Sequence, residues 1–190
     1  MCCRFRLGLE KYDTPEVDKL EKKFKEKYPD APFKKGDIFP SDEIATLIKG
    51  TKDKADVGLM KWGIKALNNK LVINAKVETI QEKPMFKYIE KNRCIILATG
   101  FYEWSKDESH TQYYFQNKTE FKPIYIGAIY DNNQIPNFVI ITKEPTEDIK
   151  DIHDRMPLII DERDVNNFLN DTTYKTYLLI NKVSLNRKKS

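Results

Sequence analysis

Cys2 offers the most distinctive chemistry in the chain. Once Met1 is removed, it carries an α-amine and a thiol on adjacent carbons. An α-amine titrates near ~7.7–8.0, so a useful fraction is neutral at physiological pH without burial. A neutral amine condenses with an aldehyde to a Schiff base. The neighbouring thiol can then add to the imine carbon and close a five-membered thiazolidine ring. The same position also suits a chance cysteine, buried and inert, and Cys3 is either the reacting thiol or a small core residue.

Three further residues suit proton transfer or orientation. Glu103 lies in Gly100-Phe101-Tyr102-Glu103-Trp104. On a strand it shares a face with Phe101 while Tyr102 and Trp104 point the other way. An acid among aromatics has its charged form disfavoured, which lifts its pKa toward the range useful for proton delivery. A solvated carboxylate at a strand end is the competing reading. His153, in Ile152-His153-Asp154-Arg155-Met156-Pro157, is a proton-transfer type beside an arginine suited to phosphate. Taken alone, such a histidine reads as a surface or capping residue. Asn74 ends the apolar run Leu71-Val72-Ile73. Its amide could orient an amine or a carbonyl, or simply make a turn.

Arg4, Trp62, Lys76, Trp104, Thr142 and Arg155 are candidate nucleic-acid groups spread along the chain. Cations suit phosphates and tryptophans stack on unpaired bases, although scattered aromatics are commonly core.

Most other chemistries are excluded by what the 190 residues lack. Three cysteines, Cys2, Cys3 and Cys94, make no disulfide framework and fit a reducing compartment. There is no C-x-x-C pair, only two histidines, and neither a Walker-type loop nor a G-x-G-x-x-G fingerprint. No metal and no cofactor is expected. The net charge of +4 allows a polyanion partner without establishing one. No apolar run approaches a membrane span and no signal-like apolar region opens the chain, so an intracellular home is the expectation.

The positioning elements follow from periodicity and punctuation. Phe5 and its neighbours read as a short strand ending near Gly8. Thr14 reads as an N-cap, with Pro15 opening a helix through Val17, Leu20, Phe24 and Tyr28 that Pro29 and Pro32 end. Asp37 to Pro40 reads as a connection into a strand at 44–48. Strands are expected at 57–64, 71–73, 94–98, 100–104, 113–116, 124–130, 138–142 and 158–160, and a final one at 177–180. Helices are expected at 78–92, interrupted at Pro84, and at 146–151 and 162–169. Asp131-Asn132-Asn133 is the turn of a hairpin. Many strands with few helices predict a single α+β domain, with a mostly antiparallel or mixed, twisted, barrel-like sheet and peripheral helices. The domain is expected over 1–182, followed by a basic tail, 183–190.

Taken in order, the motifs are Met1-Cys2-x-Arg4-Phe5, Met60-Lys61-Trp62-Gly63, Asn74-Ala75-Lys76-x-Glu78-Thr79, Gly100-Phe101-Tyr102-Glu103-Trp104 and His153-Asp154-Arg155-Met156-Pro157. This series resembles the SOS-response-associated peptidase (SRAP) family from the N-terminus to about Ile160. The resemblance implies a sensor of abasic sites in single-stranded DNA that links to them covalently through mature Cys2 as the thiazolidine. Asn74 would hold the reacting amine or sugar oxygen. Glu103 would assist ring opening and proton movement, and His153 would be the second acid/base group. Arg4, Lys76 and Arg155 would hold phosphates, with Trp62 and Trp104 shaping the DNA path. Thr142 stands with them as a DNA-binding candidate. The resemblance also implies weak lyase activity by β-elimination and self-removal of Met1. The expected partner is single-stranded DNA with abasic sites, with replication-fork proteins as further candidates and no membrane. A monomer is expected, cytoplasmic and, in a bacterium, nucleoid-associated.

The sequence departs from the family pattern at Cys3, where glycine is customary, at Lys76, where arginine is usual, and in the loop after Trp62, which lacks a proline. Two rival readings remain. One is a thiol peptidase acting on other proteins, with Cys2 as nucleophile and His153 as base. The other is a non-covalent single-strand-binding module in which Cys2 is incidental.

Overall fold

The computed structural model describes residues 2–8, 13–51, 54–170 and 183–190. Thr14 has extended backbone and its hydroxyl accepts the Val17 N–H at 3.3 Å, with Pro15 in the first helical turn where a missing N–H costs nothing. The helix α1 (Pro15–Lys27) turns Val17, Leu20 and Phe24 inward, as their spacing predicts. It ends where the Tyr28 N–H bonds back to the Phe24 carbonyl at 2.7 Å.

Strands dominate the rest. They are β1 (Phe5–Leu7), β2 (Gly36–Ile38), β3 (Glu43–Lys49), β4 (Ala55–Trp62), β5 (Ile64–Lys65), β6 (Leu71–Val72) and β7 (Asn74–Lys76). The single-turn helix α2 (Pro84–Lys87) precedes β8 (Arg93–Ala98), β9 (Gly100–Trp104), β10 (Gln112–Asn117), β11 (Ile124–Tyr130) and β12 (Asn137–Lys143). Then come β13 (Met156–Pro157), β14 (Ile159–Ile160), α3 (Val165–Asn170) and β15 (Leu185–Lys189). Together they form one α+β domain, as the sequence predicts.

Two sheets organise it. In the first, β12, β4, β3, β8 and β11 pair in that order, and β11 pairs again with β12 across the Asp131–Asn137 turn, so these strands close into a barrel. The β12–β4 pairing is parallel, and so is the pairing of β7 with β12. Strand β8 is buried throughout because α3 and β1 pack on it as well. The second sheet is antiparallel, in the order β15-β10-β9-β1-β2. It carries Glu103 on β9 and receives the N-terminal segment at β1. An apolar core of the two sheets and α1 includes Phe5, Phe24, Ile95, Phe101 and Phe138.

Gly100 lets β9 and β10 approach closely. A Cβ there would lie 2.5 Å from the Phe115 carbonyl oxygen and against the Tyr114 ring. Gly100→Ala is therefore expected to destabilise the fold by about 1–3 kcal/mol, read from its denaturant midpoint.

Several expectations are corrected. The 37–40 stretch is not simply a connection, because Gly36–Ile38 pairs antiparallel with β1, placing Asp37 opposite Arg6. The helix expected over 78–92 is a 3-10 turn at Val77–Thr79 and the single turn of α2, since Asn74–Lys76 is claimed by β12 and Pro84 cannot donate to a continuing helix. At 146–151 the chain makes successive turns rather than a helix, with the Ile149 and Lys150 N–H groups both on the Thr146 carbonyl. The basic stretch expected to be a tail is edge strand β15, paired from Leu185↔Asn117 to Lys189↔Tyr113. Arg187 is anchored by Asp151 at 2.6 Å and lies over the Tyr113 ring. The strand expected at 177–180 lies outside the described residues. Among the described residues, no helix is long and apolar enough to cross a membrane.

Candidate active site

The N-terminal segment runs into β1, whose two edges are taken by β2 and β9, so Cys2 is held at the seam between the sheets. Cys2 is fully buried. Its carbonyl accepts the Asn74 amide N–H at 2.9 Å and its Sγ lies 3.8 Å from the Arg4 carbonyl. Asn74 opens β7, whose parallel pairing with β12 sets it opposite Ile140. Because the Cys2 carbonyl can only accept, it fixes the Asn74 amide with Nδ2 toward the chain. Asn74 Oδ1 is then a buried acceptor with no donor among the described residues.

Glu103 comes from β9, opposite Tyr113 on β10, and is 1% exposed. It shares the buried face of Phe101, as strand alternation predicts. Burial raises its pKa to about 7. The same burial pushes the Cys2 thiol well above its usual value, and the Glu103 charge adds to the effect. His153 sits in the turn between β12 and β13, with Nε2 3.9 Å from Glu103 Oε2. His153 Nδ1 lies 3.0 Å from the Arg155 backbone N–H and 3.2 Å from the Arg155 carbonyl, so this backbone orients the ring and leaves Nε2 facing the carboxylate. Burial holds the His153 pKa below the ordinary value. Lys106, just beyond β9, pairs with Asp154 and ties the two loops together.

Cys2, Asn74, Glu103 and His153 thus converge from four separate stretches of chain. The other sequence candidates divide. Arg4 lies with its guanidinium 4.2 Å from the Tyr102 ring centroid and 5.3 Å from that of Phe39, and it is paired with Asp37. Arg155 grips Glu78 through both terminal nitrogens at 2.9 Å and the Thr142 carbonyl at 2.7 Å. Lys76 is exposed and Trp104 half-buried. Trp62 is corrected as a base-stacking candidate, because it is wholly buried between Phe5 and Phe138, with Nε1 on the Ile73 carbonyl at 3.0 Å. Its ring has no face to offer a base. Thr142 is likewise fully buried, with its hydroxyl 3.5 Å from the Ala75 carbonyl, so it braces β7 from β12 and does not reach the surface. Asp37 and Glu78, the partners of the two arginines, carry no functional assignment from the sequence, although Glu78 stands in the Asn74-to-Thr79 motif. Glu78 follows Asn74 by four residues, whereas nothing local marks Asp37.

Replacing Asn74 by alanine removes the hydrogen bond that fixes the Cys2 carbonyl. The expected result is a roughly threefold to tenfold slower form of the Cys2 reaction proposed below, with little change in unfolding midpoint, measured by single-turnover kinetics.

The chain has relatives among known proteins. The family described as SOS response associated peptidase (SRAP) matches residues 1–187. A protein of Bacillus subtilis strain 168 named abasic site processing protein YobE is 33% identical over 161 residues, covering 75% of this chain and 73% of that one. Abasic site processing protein YoqW of Bacillus phage SPbeta is 33% identical over 147 residues, and this chain spans 65% of its length. A crystal structure of a Bacteroides thetaiotaomicron protein superposes with a TM-score of 0.75 at 19% identity, covering 99% of this chain and 91% of that one, which is a likeness of fold.

Proposed function

Because this chain belongs to the SOS response associated peptidase family, we propose that it processes abasic sites in single-stranded DNA by covalent capture at Cys2, after Met1 has been removed. The observation that carries the reading is the Asn74 contact. One end of its amide holds the Cys2 carbonyl at 2.9 Å, the other is a buried open acceptor, and a carboxyl poised near neutrality lies alongside.

An abasic sugar exists mainly as a closed ring and must open before it presents an aldehyde. Glu103, about half protonated near pH 7, donates to the ring oxygen as the C1′–O4′ bond breaks, and its carboxylate then takes the proton of the C1′ hydroxyl, leaving the aldehyde. The Cys2 α-amine adds to C1′ and water leaves, giving an imine. The buried thiol keeps its proton until this point, so the amine reacts first. Then S–H adds across the imine, sulfur to carbon and proton to nitrogen, closing the thiazolidine. Asn74 Oδ1 accepts from the amine or sugar hydroxyl, and His153, whose Nε2 lies 3.9 Å from Glu103, exchanges protons with it through one bridging water. From the same imine, β-elimination breaks the C3′–O bond and supplies a lyase side reaction. Self-removal of Met1 belongs to the same proposal.

A thiol peptidase with His153 as base is less well supported. The Cys2 sulfur lies against the Arg4 carbonyl, and the Nε2 of His153 lies near Glu103. The decisive measurement is the intact mass of mature protein incubated with a single-stranded oligonucleotide bearing one abasic site. The expected product is a one-to-one adduct lighter than the sum by one water; no adduct sinks the reading.

A further inference from the structure

Both arginines that the sequence assigns to phosphates already hold a carboxylate. Arg155 forms a two-pronged pair with Glu78 at 2.9 Å per contact, the geometry with which guanidinium also grips phosphate. Arg155 is 14% exposed while Glu78 is 45% exposed, so the carboxylate sits on the solvent side of a recessed fork. Arg4 has its guanidinium 4.2 Å from the Tyr102 ring centroid and 5.3 Å from that of Phe39, and it pairs with Asp37. Asp37 also accepts the Tyr102 hydroxyl at 3.1 Å and lies 3.8 Å from Arg6 Nε, so two arginines share one carboxylate. Arg4 follows Cys2 by two residues, and Arg155 follows His153 by two. Each acid–arginine pair is thus tied by two residues of chain to a member of the proposed capture site.

We propose that Asp37 and Glu78 occupy, in the free protein, the positions that phosphates of a bound strand take on Arg4 and Arg155, so that DNA must displace both. This deepens the capture reading and rests on it. Each carboxylate neutralises an arginine until a phosphate arrives. The exchange weakens binding of every strand equally, damaged or not, because it depends on phosphate alone. Dwell time on undamaged DNA stays short, and only a site that supplies an aldehyde is retained, by the bond to Cys2. Asp37 and Glu78 thus set how tightly any single strand is held and leave discrimination to the covalent step.

The test uses undamaged single-stranded oligonucleotide, where covalent capture plays no part. Affinity is measured by fluorescence anisotropy across a range of KCl for the unsubstituted protein, Asp37→Asn, Glu78→Gln and the double variant. Each substitution is expected to tighten binding roughly twofold to fivefold, the worth of a partly exposed ion pair. The slope of log affinity against log salt is expected to steepen by up to about 0.7 per arginine released. Weaker binding, or unchanged affinity and slope, overturns the proposal and makes the carboxylates braces for the arginines. Thermal unfolding checks each variant, and Glu78→Gln alone decides the matter if Asp37→Asn does not fold. The adduct mass of the unsubstituted protein on abasic DNA is read separately, so failure of capture is distinguishable from failure of the masking.

Discussion

Cys2→Ala in the mature protein leaves no heat-stable adduct with an abasic oligonucleotide, whereas Cys2→Ser still forms an imine that borohydride traps. In either variant, borohydride trapping reads the amine and heat stability reads the thiol. Alanine and serine both keep the α-amine, so both can condense with the aldehyde. Neither offers the sulfur that closes the five-membered ring, and an imine alone hydrolyses. The thiol is tethered to the amine-bearing carbon, and such intramolecular reactions run at very high effective concentrations. The amount of adduct surviving heat should fall at least about a hundredfold in both variants, read on a denaturing gel and by intact mass. Retaining Met1 should have the same outcome by a different route, because the amine is then locked in a peptide bond. A heat-stable adduct from Cys2→Ala would transfer the chemistry to another residue, with Cys3 the first to examine.

Glu103→Gln is expected to slow adduct formation by roughly 10²–10⁴-fold, the usual range for loss of a positioned acid or base. It should also change the pH dependence of stability in a defined direction. Burial raises the carboxyl from 4.5 to about 7 in the folded chain. Below 4.5 the group is neutral whether the chain is folded or not. Between the two values the folded chain binds a proton that the unfolded chain does not. The stability contributed by this group is therefore full at low pH and is lost as pH rises through about 7, a change of about 3 kcal/mol. Glutamine is neutral throughout, so the variant gains on the unsubstituted protein between pH 5 and pH 8. Unfolding midpoints of the two proteins at several pH values measure the gain. A difference independent of pH would mean that the carboxyl is not held neutral by the fold. A variant that is less active and, above neutrality, more stable is what a charge buried for catalysis predicts.

Much of the framework was legible because it is encoded locally. Thr14-Pro15 followed by Val17, Leu20 and Phe24 specifies α1 through short-range capping and side-chain periodicity. The strands at 94–98, 124–130 and 138–142, and the hairpin turn at 131–133, follow from β-branched runs and turn residues. Taken one at a time, Cys2, Asn74, Glu103 and His153 each also suit an inert reading; it is the order of the motifs, which resembles the SRAP family, that singles them out. The misreadings lie where long-range pairing outweighs local preference. Gly36–Ile38 becomes strand only because β1 lies beside it, the 78–92 region loses its helix to β7 and Pro84, and the lysine-rich end becomes β15 by pairing with β10.

What the sequence determined by itself is the chemistry available: an aminothiol after methionine removal, a carboxylic acid among aromatics, a histidine and an amide. What only the tertiary structure decided is which of the DNA candidates reach the surface and what they touch there. Trp62 and Thr142 are both buried, one by aromatic packing from β1 and β12, the other by the pairing of β7 with β12. Arg4 and Arg155 are engaged by Asp37 and Glu78, which lie 33 and 77 residues away along the chain. Local propensity acts over a few residues, whereas burial and ion pairing depend on chain segments that meet only once the barrel and its companion sheet have formed.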